Sequence, residues 1–156
     1  MQIGWKRIAI SLLVLFTAVS AAAATAPHCS MKTGAGRWGF TTRGTIPSVG
    51  DVAAVGTFTA DVSGNLSGRQ TRSIAGDVAE ETFTGTFTVN SDCMGTDVIQ
   101  VYEGGVLVRT STLKLVYEQN GRAARAIFQQ LLLPNGAVLH TVLTIDATRI
   151  TPRTDE

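Results

Sequence analysis

From residue 27 onward the apolar positions recur with a period near two, and no helical periodicity appears. Runs rich in Val, Ile, Thr and Phe are cut at short intervals by Gly, Asn and Asp, the composition of strands joined by tight turns. Eight strands fit: Arg37 to Ile46, Val52 to Asp61, Leu66 to Ile74, Val78 to Val89, Thr96 to Glu103, Val106 to Glu118, Ala123 to Leu133 and Ala137 to Ile150. The tetrapeptide Gly-Thr-Phe-Thr occurs at Gly56 to Thr59 and again at Gly85 to Thr88, each time just before a turn and a further β-like run. A strand-turn-strand unit used twice predicts an antiparallel sheet or barrel.

Turn chemistry fixes register, and register decides which side chains share a face. With Ala75-Gly76 as a two-residue turn, Gly68 faces Phe83, Gln70 faces Glu81 and Arg72 faces Ala79. Ser67, Arg69, Thr71, Glu80, Thr82 and Thr84 then share the opposite, wholly polar face, which looks outward. The inner face carries Phe58, Leu66, Phe83, Phe87 and Val89 with Gly56, Gly68 and Gly85 between them, joined by Trp38 and Phe40 from the first strand. Glycine inside a strand forgoes packing and marks a bend or a close approach, so this face belongs to a strongly curved, closed sheet. Gly104-Gly105 reads as a second two-residue turn.

The last strands break the alternation. Leu131, Leu132, Leu133, Val138, Leu139, Val142 and Leu143 place apolar groups on both faces, which requires either a bulge that shifts the register or an outer face buried against a second subunit. Homo-oligomerisation is the preferred resolution. Asn135-Gly136 as a two-residue turn sets Arg125 opposite Asp146 as a cross-strand salt bridge, Ile127 opposite Thr144 and Leu131 opposite His140; a three-residue loop starting at Pro134 would scramble that register.

The ends define a compartment. Residues 1–26 read as a cleaved signal peptide, with Lys6 and Arg7 as the charged start, Ile8 to Val19 as the apolar stretch and Ala21 to Ala26 as the small-residue cleavage region. Residues 27–150 form one domain and residues 151–156 a frayed tail. The expected product is secreted or periplasmic and, after leader cleavage, not membrane-bound, because no later segment approaches the ~20 apolar residues of a helical span. The leader takes two of the 13 Lys and Arg and none of the 12 Asp and Glu, leaving 11 against 12 and a net charge of −1. That balance implies no nucleic-acid partner. Cys29 and Cys93, an even pair in an exported chain, are expected to form a disulfide.

Several pieces resemble exported bacterial proteins with an allene oxide cyclase-like barrel domain. They are Cys29-Ser30, Arg37-Trp38-Gly39-Phe40 running to Gly44-Thr45-Ile46-Pro47, Ala53 to Thr59, Gly64 to Gly68, Phe83 to Asn90, and Asp92-Cys93-Met94-Gly95-Thr96. The resemblance implies an all-β fold, a single eight-stranded antiparallel β-barrel. Its relatives include plant oxide cyclases and bacterial cyclases that work without a cofactor. No catalytic motif of those enzymes is present, so no catalytic residue is carried over.

The sharpest constellation is Gln70, Arg72 and Glu81, which the register places on the otherwise apolar inner face near one barrel mouth, with Trp38 and Phe40 completing the candidate ligand-binding set. A few polar groups over an apolar floor are what ligand sites look like. A partly desolvated Glu81 would have a raised pKa and act as acid or base, with Arg72 either lowering that pKa or holding an anionic ligand. The competing and preferred reading is a solvated Arg72–Glu81 pair at a strand end with no chemistry. His140 as general base lacks a positioned partner. Gly34, Gly36 and Gly39 match a dinucleotide fingerprint but introduce a β run instead of a helix. No metal site is expected, since only His28 and His140 are present and no carboxylates cluster at ligand spacing. No cofactor is implied. Three functions follow: binding of a small apolar molecule in the lumen, a cofactor-independent cyclase or isomerase in the same lumen, or an oligomeric surface module. The first leads, and it fails if Trp38, Phe40, Phe58, Phe83, Phe87 and Phe128 fill the interior completely.

Overall fold

The computed structural model describes residues 28–150; the predicted leader and the predicted tail lie outside the described residues. The chain opens with α1 (Met31–Gly34) and continues through β1 (Gly36–Ile46), β2 (Gly50–Ala60), β3 (Asn65–Ile74), β4 (Asp77–Val89), β5 (Met94–Glu103), β6 (Val106–Glu118), β7 (Ala123–Leu132), β8 (Val138–Leu139) and β9 (Val142–Arg149). Consecutive strands from β1 to β7 pair antiparallel, and β9 pairs with both β1 and β7. The sheet therefore closes into an eight-stave antiparallel barrel whose last stave is interrupted between β8 and β9.

The two-residue turns predicted at Ala75-Gly76 and Gly104-Gly105 form as expected. Ala75 and Gly76 both have positive φ, 50° and 90°, as do Gly104 and Gly105 at 57° and 84°; two positive φ values give the twist that matches a hairpin. The first turn sets Gly68 opposite Phe83, Gln70 opposite Glu81 and Arg72 opposite Ala79. The inner wall is close-packed: a Cβ on Gly68 would lie 2.5 Å from Phe83 Cζ and closer still to the Thr57 carbonyl. Trp38, Phe40, Leu66, Phe83, Phe87, Val101, Leu115 and Tyr117 form the main core.

One end of the barrel is plugged. α1, a single turn too short to show periodicity in sequence, lays Gly34 against Phe87 and Tyr117, and its Gly34 carbonyl accepts from Trp38 Nε1 at 2.9 Å. Arg149 covers the Trp38 ring at 4.6 Å and donates to the carbonyls of Thr33, Ala35 and Gly121. Cys29 and Cys93 are disulfide-bonded as expected, fixing the segment before α1 to the β4–β5 turn.

The other end, the mouth, is irregular. Glu103 pairs with Val106 as the Gly104-Gly105 turn requires, but the register shifts between Val101 and Tyr102, so that Val101 faces Arg109. A second shift inserts Gln129 of β7 opposite β6, and β7 runs one residue out of step between its pairings with β8 and β9. Arg125 does face Asp146, and Ile127 faces Thr144. Leu131, however, faces Leu139 instead of His140, because Leu133 and Ala137 close a three-residue loop and the His140-Thr141 segment absorbs an extra residue. The expected Arg125–Asp146 salt bridge does not form: Arg125 pairs with Glu118 and Asp146 with Arg43, each at 3.4 Å. The bulges account for the two-faced leucines. They bring Leu131 and Leu143 inside with Ile46 as a second small core at the mouth, where Val52, Phe128, Leu133 and Leu139 pack on it.

Candidate functional site: a partitioned lumen

Gln70 on β3 and Glu81 on β4 meet where the turn register sets them, and Gln70 Nε2 donates to Glu81 Oε2 at 2.7 Å. Arg72 Nε donates to Oε1 at 3.2 Å. Sequence reasoning missed the dominant partner, Arg109 of β6, whose two terminal nitrogens grip Oε1 and Oε2 at 2.7 and 2.6 Å. Arg72 also reaches Asp77 at 2.6 Å and Glu103 at 3.0 Å. The Glu81 side chain is only 1% exposed, so the expected solvated pair is instead a buried, four-donor network.

This arrangement works against an acid–base role for Glu81, the alternative to a pair without chemistry. Burial pushes its carboxyl up, but the hydrogen bonds and charge of Arg109, with Gln70 and Arg72, outweigh that and hold it below the usual carboxylate range. Its oxygens are occupied and it stays ionised. Arg72 is likewise surrounded by the negative charge of Glu81, Asp77 and Glu103.

The network divides the interior. On its mouth side lies a chamber of about 160 Å³ lined by Ile46, Val52, Leu131 and Leu143, with Arg72 and Arg109 in its floor. On its plugged side lies a chamber of about 70 Å³ among Trp38, Phe40, Phe58 and Phe83. Thr42, Gln70, Arg109 and Phe128 line both, so these four side chains are the partition. The aromatics thus pack without filling the lumen: Trp38 stacks with Phe58 at 6.1 Å, Phe40 meets Phe83 edge-on at 5.9 Å, and space remains beside them.

Sequence reasoning also passed over two polar residues in the inner chamber. Among the described residues Asp97 Oδ1 and Ser111 Oγ are buried and have no hydrogen-bond partner. Asp97 stands between Phe87 on β4 and Leu113 on β6, and burial pushes its carboxyl up to about 7. Tyr117 lines the same chamber, and its hydroxyl is also raised, first by burial and then by the Asp97 charge. His140 takes no part in either chamber's lining. Among the described residues no group of three or more His, Cys, Asp or Glu is placed to hold a metal ion, and no helix is long and apolar enough to cross a membrane.

Fold and site together define a plugged antiparallel barrel with a two-chambered interior. No protein-family model and no curated protein matches the chain.

Proposed function

We propose that the barrel binds a small, mostly apolar molecule in its lumen, seated in the outer chamber. The observation that carries this reading is the size and lining of that chamber. Its volume of about 160 Å³ is close to the roughly 150 Å³ of an apolar cavity that takes up benzene. Its walls are largely aliphatic, and the polar groups in its floor are already paired with one another. Apolar walls supply most of the affinity, and the network forms a rigid base. Export belongs to the same proposal, supported by the leader pattern and the bonded Cys29–Cys93 pair.

Toluene, added to methyl-labelled protein, tests it. The expected result is saturable shifts at the methyls of Ile46, Val52, Leu131 and Leu143, lost in Leu143→Trp. Shifts confined to the exposed wall, or none at all, overturn the reading.

Two observations favour further readings. Asp97 lines the lumen with a buried, unpartnered Oδ1, and burial pushes its carboxyl up to about 7, which supports a cofactor-independent cyclase or isomerase of the allene oxide cyclase-like kind. The mouth carries exposed Val49, Val78, Val106, Val138 and Val142, which supports self-association of copies through that rim.

A further inference from the structure

The inner chamber is lined by Asp97, whose buried Oδ1 has no hydrogen-bond partner among the described residues. The cations around the lumen are committed elsewhere: Arg109 grips Glu81 through both terminal nitrogens, Arg72 is divided among Glu81, Asp77 and Glu103, and Arg125, which also lines this chamber, is largely exposed and pairs with Glu118. At the plugged end Arg149 stacks on Trp38 and donates to three carbonyls. The residues opposite Asp97 on its neighbouring strands, Phe87 and Leu113, are apolar, and the titratable neighbour is Tyr117, which bears no positive charge. A buried carboxylate in this setting is strongly disfavoured unless a cation or strong donor meets it. The remaining lining mixes aliphatic side chains with the rings of Trp38, Phe40, Phe58 and Phe83, and ring faces attract cations.

We propose that the inner chamber is a second binding site, specific for a compact organic ammonium ion that donates to Asp97 Oδ1, with Ser111 Oγ as a further acceptor and its apolar body against Trp38 and Phe58. The site is distinct from the outer chamber and does not depend on its occupant. Size limits the ligand: at roughly 10–15 Å³ for each water-sized group, about 70 Å³ accommodates about five heavy atoms. A neutral alcohol of the same shape satisfies the hydrogen bond but leaves the charge uncompensated.

The experiment titrates full-length mature protein at pH 8 with butylammonium, 1-butanol and butyrate, following the Trp38 indole signal. Butylammonium is expected to bind about tenfold or more tighter than 1-butanol, and Asp97→Asn to reduce that preference to about twofold or less. A ligand-free readout accompanies it. Because the folded carboxyl titrates at about 7 and the unfolded one near 3.8, the folded state keeps a proton that the unfolded state has lost across that interval. Wild-type thermal stability should therefore fall as pH rises from about 4 to 7, and the Asp97→Asn curve should lack that fall. Equal binding of butylammonium and 1-butanol overturns the proposal, as does a preference that survives in Asp97→Asn, or no response to any of the three. If the variant fails to fold, the three-ligand comparison on wild type decides alone.

Discussion

The two ends of the barrel are built on different rules. At the plugged end the strands keep uninterrupted registers, and every irregular piece is tied down. α1 packs so tightly that a Cβ on Gly34 would lie 2.5 Å from the Phe87 ring, and Arg149 and the disulfide hold the flanking segments. At the mouth two register shifts and an interrupted stave break the alternation, and five exposed valines rim the opening. The shifts have a chemical consequence. In a regular register from the Gly104-Gly105 turn, Val108 would face Val101 inward and Arg109 would point outside; the shift sets Arg109 opposite Val101 and carries it into the lumen. Bulging at the mouth is what brings the charge network inside.

That difference sets what the sequence could reveal. The strand count, the β3–β4 register, the inward aromatics and the disulfide follow from period-two alternation, turn residues and an even cysteine count, all of which act locally or by simple pairing. Gln70 opposite Glu81 was legible for the same reason. Arg109 was not, because turn-based counting puts it on the wrong face. A conflicting signal exists: stepping back by twos from buried Tyr117, Leu115 and Leu113 through Ser111 lands on Arg109. Stepping back from Val101 through Ile99 likewise reaches Asp97. Both residues look like outward wall polars in composition, and only the phase of their strand shows otherwise. The leucine-rich last staves left a bulge and a subunit interface both open, because bulges that take Leu131 and Leu143 inward leave no local mark stronger than a broken alternation.

The largest expected effect breaks the mouth side. Arg109→Ala removes both nitrogens that bind Glu81 and leaves a buried carboxylate with Gln70 and Arg72 alone, which should cost about 3–5 kcal/mol in urea unfolding. The paired replacement Glu81→Leu with Arg109→Met removes both charges together and should recover most of that loss, since apolar groups of similar volume substitute well for a buried ion pair. A single Arg109→Ala loss below about 1 kcal/mol would mean that water reaches the network and that the partition between the chambers is not dry.

At the plugged end the staple is covalent. Cys29→Ala with Cys93→Ala opens a link spanning 64 residues, and the unfolded chain regains entropy worth about 2–4 kcal/mol. Hydrogen exchange should localise the change: amides of α1 and the β4–β5 turn exchange faster, while those of β3 near Gln70 keep their relative protection. Equal loosening of the two ends would erase the distinction between a stapled base and a self-supporting mouth.

The smallest effect on stability falls on the rim. Val142 is 70% exposed and Val106 67%, so replacing either with Lys removes little buried area and should change unfolding free energy by no more than about 0.5 kcal/mol. Their grouping still matters, because Val49, Val78, Val138, Val106 and Val142 all stand on turns or strand ends at the mouth. If copies associate there, light scattering at micromolar concentration should show wild type above monomer mass and the Val106→Lys, Val142→Lys double variant at monomer mass. Lysine at the rim keeps each subunit folded while making the contact between two mouths electrostatically unfavourable. A monomeric wild type assigns the valines to the approach of an apolar ligand, and the double variant should then weaken toluene uptake while leaving the inner chamber's ammonium preference unchanged.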